Sequence, residues 1–453
     1  MARLADGIGK PTGGPRGKPH RIAPGLRTMR GTRVGEPAGG REPWEPAAGA
    51  GRADDPAEGR LVIVAPDSFK GSLSATEASS AMAAAVRAVL PAADLGIYPM
   101  ADGGEGTVEA LSGLQGQGGK VEVHSVATID AIGRPCTARY ALDEAGCGIV
   151  EVAQASGLPQ VADHLSPLVA SSRGTGLVIR DALERGARRI LLGLGGSACT
   201  DGGAGVLRAL GARLLDTRGS EVDDGGSALR QIDRIDLGGL SDAARAARWQ
   251  LACDVDNPLT GPRGAAAVFG PQKGAAPQDV AILDEGLAHF AEVLARDVGP
   301  LDGDAPGMGA AGGLPAGLVA AFGAELVPGA ALIADAVGLS DQLGRADLVL
   351  TGEGSFDSQS LSGKVVGTLG ALAHQARVPV LVVAGAVKVR RDELAGSGIV
   401  GMRSIADGPR TADQLMAQAS ELLQAATADA VATFALGAGW LRGAGWLRGA
   451  GRE

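Results

Sequence analysis

Short unbroken apolar runs alternate along the middle of the chain with stretches whose apolar residues recur every three or four positions. The runs are Leu61-Val-Ile-Val-Ala65, Ile190–Leu194, Leu348–Leu350 and Val380–Val383, each too short for a helix. Unbroken apolarity is what a strand covered on both faces requires, so these runs predict parallel strands. Residues 76–90, 174–186 and 364–377 carry helical spacing, and Pro91 closes the first of them. Between 121 and 145 the period changes. Val121, Val123 and Val126, then Ala138, Tyr140 and Leu142, alternate as in β-ribbons. The pattern predicts an α/β fold: a doubly wound, mostly parallel sheet domain from residues 60–122 and 304–436. A second α/β domain, residues 123–303, is inserted into it.

The two ends break the pattern. Residues 1–59 are rich in Gly, Pro, Arg and Ala without apolar periodicity, which predicts disorder. Residues 437–453 repeat Gly-Ala-Gly-Trp-Leu-Arg, with Trp440 and Trp446 expected on the surface. Three short copies are too few to stack into a solenoid. Both ends are expected to be dispensable.

Charge narrows the partners. The chain carries 42 Lys and Arg against 51 Asp and Glu, a net of −9. Residues 1–60 are net basic, so the body is more acidic than the total suggests. An acidic body argues against nucleic acid as a partner, because phosphate backbones need basic surfaces. The four cysteines show no C-x-x-C pair and no metal-finger spacing. They read as reduced thiols of a cytoplasmic protein. No apolar run is long enough to span a membrane. A homodimer is compatible with these features.

Five glycine-bearing segments at predicted strand ends concentrate charged side chains. They are Pro66–Leu73, Ala101–Thr107, Gly193–Gly203, Thr351–Gln359, and Asp254–Pro258 leading to Phe269–Gly274. In doubly wound sheets ligands bind where strand C-termini turn into loops. Glycines there let backbone N–H groups approach an anion. Carboxylates suit Mg²⁺, and Lys70, Lys273 and Lys364 can neutralise phosphate oxygens. A lone Asp at a strand end is usually a helix cap, but five such segments together supply the parts of phosphoryl transfer.

Other chemistries fit less well. No G-x-x-x-x-G-K-[ST] occurs, which excludes a P-loop. Gly307–Gly312 matches G-x-G-x-x-G, but it follows Pro306 rather than a strand. Gly193-x-Gly195-x-x-Ala198 lacks the acidic partner of a dinucleotide site. The five histidines, at 20, 124, 164, 289 and 374, all fall outside the glycine loops. That argues against a hydroxyacid dehydrogenase and against serine–histidine hydrolysis.

Pro66–Leu73, Ala101–Thr107, Gly195–Gly203, Asp254–Leu259, Phe269–Gly274, Gly307–Gly313 and Thr351–Gln359 resemble, in order and spacing, the type I glycerate kinase family of bacteria. The resemblance covers about residues 61–390. It implies transfer of the ATP γ-phosphoryl group to glycerate with Mg²⁺, in a cleft between two domains. A non-catalytic nucleotide- or sugar-acid-binding regulator, or a kinase of a related hydroxy acid, is the alternative on the same fold. Assigned by chemistry, Asp201, Lys70 and Glu353 are the expected catalytic groups, with Asp201 as general base. Asp67, Asp102, Glu105, Asp254, Asn257 and Lys273 are expected on the substrate. Gly195, Gly196, Ser197 and Lys364 are expected on the nucleotide, and Asp201 and Asp357 on the metal. A hinge is expected near 121–126 and 300–310, allowing the cleft to close.

Overall fold

The computed structural model describes residues 57–104, 106–112, 121–361 and 364–441. Most of the expected disordered extension, and the tail beyond Leu441, lie outside the described residues.

Eleven strands form the two large sheets. In chain order they are β1 (Leu61–Val64), β2 (Asp94–Ile97), β3 (Val121–Ile129), β4 (Pro135–Asp143), β5 (Cys147–Glu151) and β6 (Arg189–Gly193). They continue with β7 (Arg248–Ala252), β8 (Glu325–Val327), β9 (Leu348–Thr351), β10 (Val380–Ala384) and β11 (Ile399–Ser404). The first sheet runs β11-β10-β9-β1-β2 and is parallel throughout. The second runs β8-β7-β6-β5-β4-β3, parallel from β8 to β5, with β3 and β4 as an antiparallel ribbon on one edge. The fold is α/β and mostly parallel, as the apolar runs predict. The ribbon occupies the stretch where the period switched to two.

Helices Ala75–Val89, Arg173–Glu184 and Val365–Ala376 stand within two residues of their predicted bounds. Ser74 starts the first with a reciprocal capping box, its hydroxyl accepting from Glu77 N while the Glu77 carboxylate accepts from Ser74 N. Such a cap is worth about 1 kcal/mol.

Strand alternation sorts most of the buried side chains into three large cores, beside a small cluster of Ala131, Val161, Ala170 and Ala198. Val62, Val64, Leu348, Leu350, Leu381 and Val383 face the helices Ala75–Val89 and Ala419–Gly437. On the other face of the first sheet, Ile63, Val349, Val380 and Val382 share one core with Ala141, Ile149 and Leu191 of the second sheet. Tyr140, Val150, Ile190, Leu192, Trp249 and Leu251 fill a third core on the far side of the second sheet. The inner strands β1, β6, β9 and β10 are thus covered on two faces, the physical reason for their unbroken apolar runs.

Three expectations change. Trp440 is 5% exposed rather than a surface residue. It packs edge-on to Phe434, 5.4 Å between ring centroids, with the Arg60 guanidinium 5.5 Å from its own. Leu301 and Ala305, in the segment read as a hinge, pack against the third core. Residues 121–126, read as the other hinge, are part of β3. Among the described residues no helix is long and apolar enough to cross a membrane.

Candidate active site

The loops that leave the C-terminal ends of β1, β2 and β9 meet those that leave β6 and β7. The meeting is close enough to forbid side chains at several points. A Cβ on Gly193 would overlap the Gly103 carbonyl oxygen, and one on Gly329 would overlap that of Asp102. Gly195 approaches Gly104 so nearly that a Cβ there would lie 2.6 Å from the Gly104 Cα. A side-chain latch adds to this seam. The buried Glu151 at the end of β5 accepts a 2.5 Å hydrogen bond from Val108 N, in the first turn of helix Thr107–Ser112. Glu151 was not singled out from the sequence, where it is one acid closing one apolar strand.

Three chambers with overlapping linings surround the seam, and Asp102 lines all of them. Its carboxylate accepts from Gly104 N at 3.1 Å. The first chamber, about 310 Å³, is bounded by Asp67, Lys70, Asp102, Glu353, Asp357 and Lys364. The second, about 530 Å³, extends from Asp67 and Lys70 past Ser72, Ser74 and Thr76 to Gly195 and Gly196. The third, about 260 Å³, has mostly apolar walls, including Leu158, Leu194, Val255 and Phe269. Gly195, Gly196, Ser197, Asp254, Lys273 and Lys364 also line it.

The first chamber gathers like charges. Asp67 is buried, and its Oδ1 accepts from Ser68 N at 2.6 Å. Burial first, and then the nearby Asp102 charge, push its carboxyl up to about 7. Burial likewise raises Glu353, whose Oε1 is enclosed with no hydrogen-bond partner among the described residues. Lys70, which is exposed, and Lys364, which precedes helix Val365–Ala376, supply positive charge. Asp357 accepts from Gln359 N at 3.1 Å within its own loop. Carboxylates held apart from solvent with an unsatisfied oxygen among them fit a hard cation. Among the described residues no three His, Cys, Asp or Glu converge on one point. The fit is therefore to a cation that takes its remaining ligands from phosphate and water.

Lys273 is 3% exposed, an uncommon degree of burial for lysine. Its Nζ donates to Ser197 Oγ at 3.2 Å and to the Cys199 carbonyl at 2.7 Å, and burial pushes its pKa down. It braces the Gly195–Cys199 turn from beneath. The Gly307–Gly313 segment braces it from the other side. Ala311, Gly312 and Gly313 have φ of 48°, 69° and 82°, a left-handed run in which Ala311 O accepts from the Cys199 thiol at 3.3 Å. The G-x-G-x-x-G match therefore packs against another loop and does not follow a strand.

The other expected residues divide. Asp254 lines the apolar chamber. Its Oδ1 accepts from Gly329 N at 2.9 Å, its Oδ2 is buried with no partner among the described residues, and burial pushes it up to about 7. Asn257 lines none of the three chambers and donates to the Arg263 carbonyl within its own loop. Glu105 lies outside the described residues. Asp201 is not brought to the chambers. It is fully buried, and its Oδ2 accepts from Ser171 Oγ, Ser172 N, Ser172 Oγ and Gly205 N at 2.7–3.0 Å. That oxygen is saturated, while Oδ1 accepts from Gly203 N at 3.4 Å. Leu158 and Phe269 were not anticipated as site residues, because an apolar side chain in a loop carries no signal beyond burial.

Comparison with known proteins gives a consistent result. Residues 62–435 match the model of the "Glycerate kinase family". A glycerate kinase of Bacillus subtilis strain 168 is 41% identical over 377 residues, covering 83% of this chain and 98% of that one. A glycerate 2-kinase of Escherichia coli K12 is 40% identical over 379 residues, again 83% of this chain and 98% of the relative. The crystal structure from Salmonella typhimurium LT2 of a protein assigned as glycerate kinase 2 is 40% identical. It superposes with a TM-score of 0.74, covering 83% of this chain and 99% of that one.

Proposed function

The chain belongs to the glycerate kinase family, and from that premise we propose that it is a cytoplasmic enzyme that phosphorylates glycerate with ATP. The observation that carries the reading is the first chamber, where Asp67, Asp102 and Glu353 face Lys70 and Lys364 at the ends of strands from one sheet. In the reaction a glycerate hydroxyl oxygen forms a bond to the γ-phosphorus. The bond from that phosphorus to the β,γ-bridging oxygen breaks, and ADP leaves. The hydroxyl proton passes to a carboxylate.

Asp67 is that proton acceptor in this reading, since a carboxyl raised toward neutrality matches a base working near pH 7. Lys70 neutralises the glycerate carboxylate. Lys364 and the Gly195–Gly196 backbone hold the phosphates, where charge-assisted contacts and fixed geometry account for most of the catalysis of phosphoryl transfer. Glu353 and Asp357 would hold Mg²⁺, which when bound neutralises phosphate charge. Asp201 has a different part. It ties residues 171–172 to the Asp201–Gly205 turn, and so positions the preceding glycine loop.

We assign the 2-hydroxyl as acceptor, supported by the likeness to a relative named for 2-phosphorylation. The test is incubation with glycerate, ATP and Mg²⁺, with ADP followed by a coupled assay and the product identified by phosphorus NMR. Glycerate-dependent ADP formation with the 2-phosphoglycerate resonance is expected. ADP release indifferent to glycerate would refute the kinase reading, and a 3-phosphoglycerate resonance would refute the regiochemistry alone.

A further inference from the structure

The apolar chamber is not explained by glycerate. That substrate is a small anion whose faces all carry oxygen, and it gains nothing from Leu158, Leu194, Val255 or Phe269. A heteroaromatic base has the opposite character. Its faces are apolar and its polar atoms lie on the rim, so it suits a pocket with greasy walls and a few polar groups.

The position of the chamber is as telling as its lining. It shares Gly195 and Gly196 with the second chamber and Lys364 with the first. A nucleoside triphosphate with its base in the apolar chamber would emerge past those groups toward Lys70 and Asp67. Between base and phosphates comes the ribose, whose two hydroxyls need partners. Asp254 stands on the chamber wall with one oxygen fixed by Gly329 N and the other enclosed with no partner among the described residues. An orphaned buried acceptor is costly, and a ligand hydroxyl relieves it. The second chamber offers the base no comparable site, since Ser72, Ser74, Thr76, Lys70 and Asp67 make much of its wall polar.

We propose that this chamber is the nucleoside-binding site, with the base against Leu158 and Phe269 and a ribose hydroxyl donating to Asp254. The inference rests on the reading of the chain as a nucleotide-dependent kinase. It adds where the nucleoside lies and which side chain distinguishes ribose from deoxyribose. Gln272, whose amide both donates and accepts, lines the same chamber and is available to the base edge.

Two variants of the full chain test it, each first checked for a wild-type melting profile. Leu158→Trp fills the chamber. It is expected to weaken ADP binding, titrated calorimetrically without glycerate, by at least about tenfold. The KM for ATP should rise in parallel and that for glycerate should stay within about twofold. Asp254→Ala removes the ribose acceptor. Wild type is expected to prefer ATP over 2′-deoxy-ATP or 3′-deoxy-ATP by roughly tenfold or more, and Asp254→Ala should erase that preference. Unchanged ADP affinity in Leu158→Trp, or a rise confined to the glycerate KM, would overturn the assignment of the chamber. A ribose preference that survives in Asp254→Ala, or is missing from wild type, would overturn the role of Asp254. The ADP titration involves no turnover, so a wild type that binds ADP but phosphorylates no glycerate would refute the proposed reaction and leave the site standing.

Discussion

Asp67 and Asp201 look alike in sequence, each beside glycine or serine in a loop that follows an apolar strand. Their neighbours separate them. Asp67 borders two chambers and faces Asp102 and Glu353, while Asp201 spends its Oδ2 on four donors supplied largely by Ser171 and Ser172. Those serines lie about 30 positions upstream, so their approach could not be read from the glycine motif. As a general base Asp67 must be ionised. With its carboxyl pushed up to about 7 in the free protein, kcat/KM should fall by about tenfold per pH unit below that value. Asp67→Asn should lose about 10²–10⁴ in kcat and with it the acid limb. An unchanged acid limb in the variant would assign the proton to another group. Asp201→Asn should behave differently. An amide can still accept at one atom, but it brings an unwanted donor among four others. The loss should be about 3 kcal/mol of stability in urea unfolding. The protein that remains folded should keep kcat within about tenfold of wild type. A normally stable variant with no turnover would instead return Asp201 to the chemistry.

At the scale of elements, the inner parallel strands were legible because they are covered twice, which leaves no polar position to interrupt Leu61–Val64 or Val380–Ala384. The β3–β4 ribbon was legible for the converse reason, since its outward side chains reach solvent at every second residue of β4 through Cys136–Tyr140. Short β8 was missed. Three residues, Glu325–Val327, give no period, and their pairing with β7 is decided by a distant partner. The C-terminal repeat misled in a similar way. Its first copy looks like the copies that follow, yet Trp440 closes the end of helix Ala419–Gly437 over Phe434 and Arg60. The body of the fold therefore extends from Ala57 to at least Leu441. A chain cut to 60–436 loses both Trp440 and Ala57, which is 1% exposed. Trp440→Ala in the full chain should cost about 3 kcal/mol, read as a lower urea midpoint at constant slope. A chain ending at 436 should be destabilised at least as much. Equal midpoints for wild type and both variants would make the contact incidental.

At the scale of the whole molecule, strand membership fixes where the chain changes sheets. β8 pairs within the second sheet, so we propose an inserted domain of 121–327, with 57–112 and 328–441 forming the other. This moves the return crossing from about 304 to about 328, beside Gly329 and the seam against Asp102. The same architecture bears on cleft closure. Domains in one chain move freely when their interface is small and polar. Here Ala141, Ile149 and Leu191 of one sheet share a continuous core with Ile63, Val349 and Val382 of the other. Opening that core would expose buried apolar surface at roughly 25 cal/mol per Å². Glycines packed backbone to backbone leave the seam little slack of their own. Rearrangement on binding should therefore be confined to the loops 66–73 and 351–361, which border the first chamber and carry Lys70 and Glu353. Small-angle scattering should give the same radius of gyration for the free protein and for its complex with glycerate and a non-hydrolysable ATP analogue. Hydrogen exchange should slow in those two loops and in the segments proposed to hold the nucleotide, and stay unchanged across the shared core. A radius of gyration that falls clearly beyond experimental error, with both ligands verified at saturation, would show that the shared core yields and that the domains close as bodies.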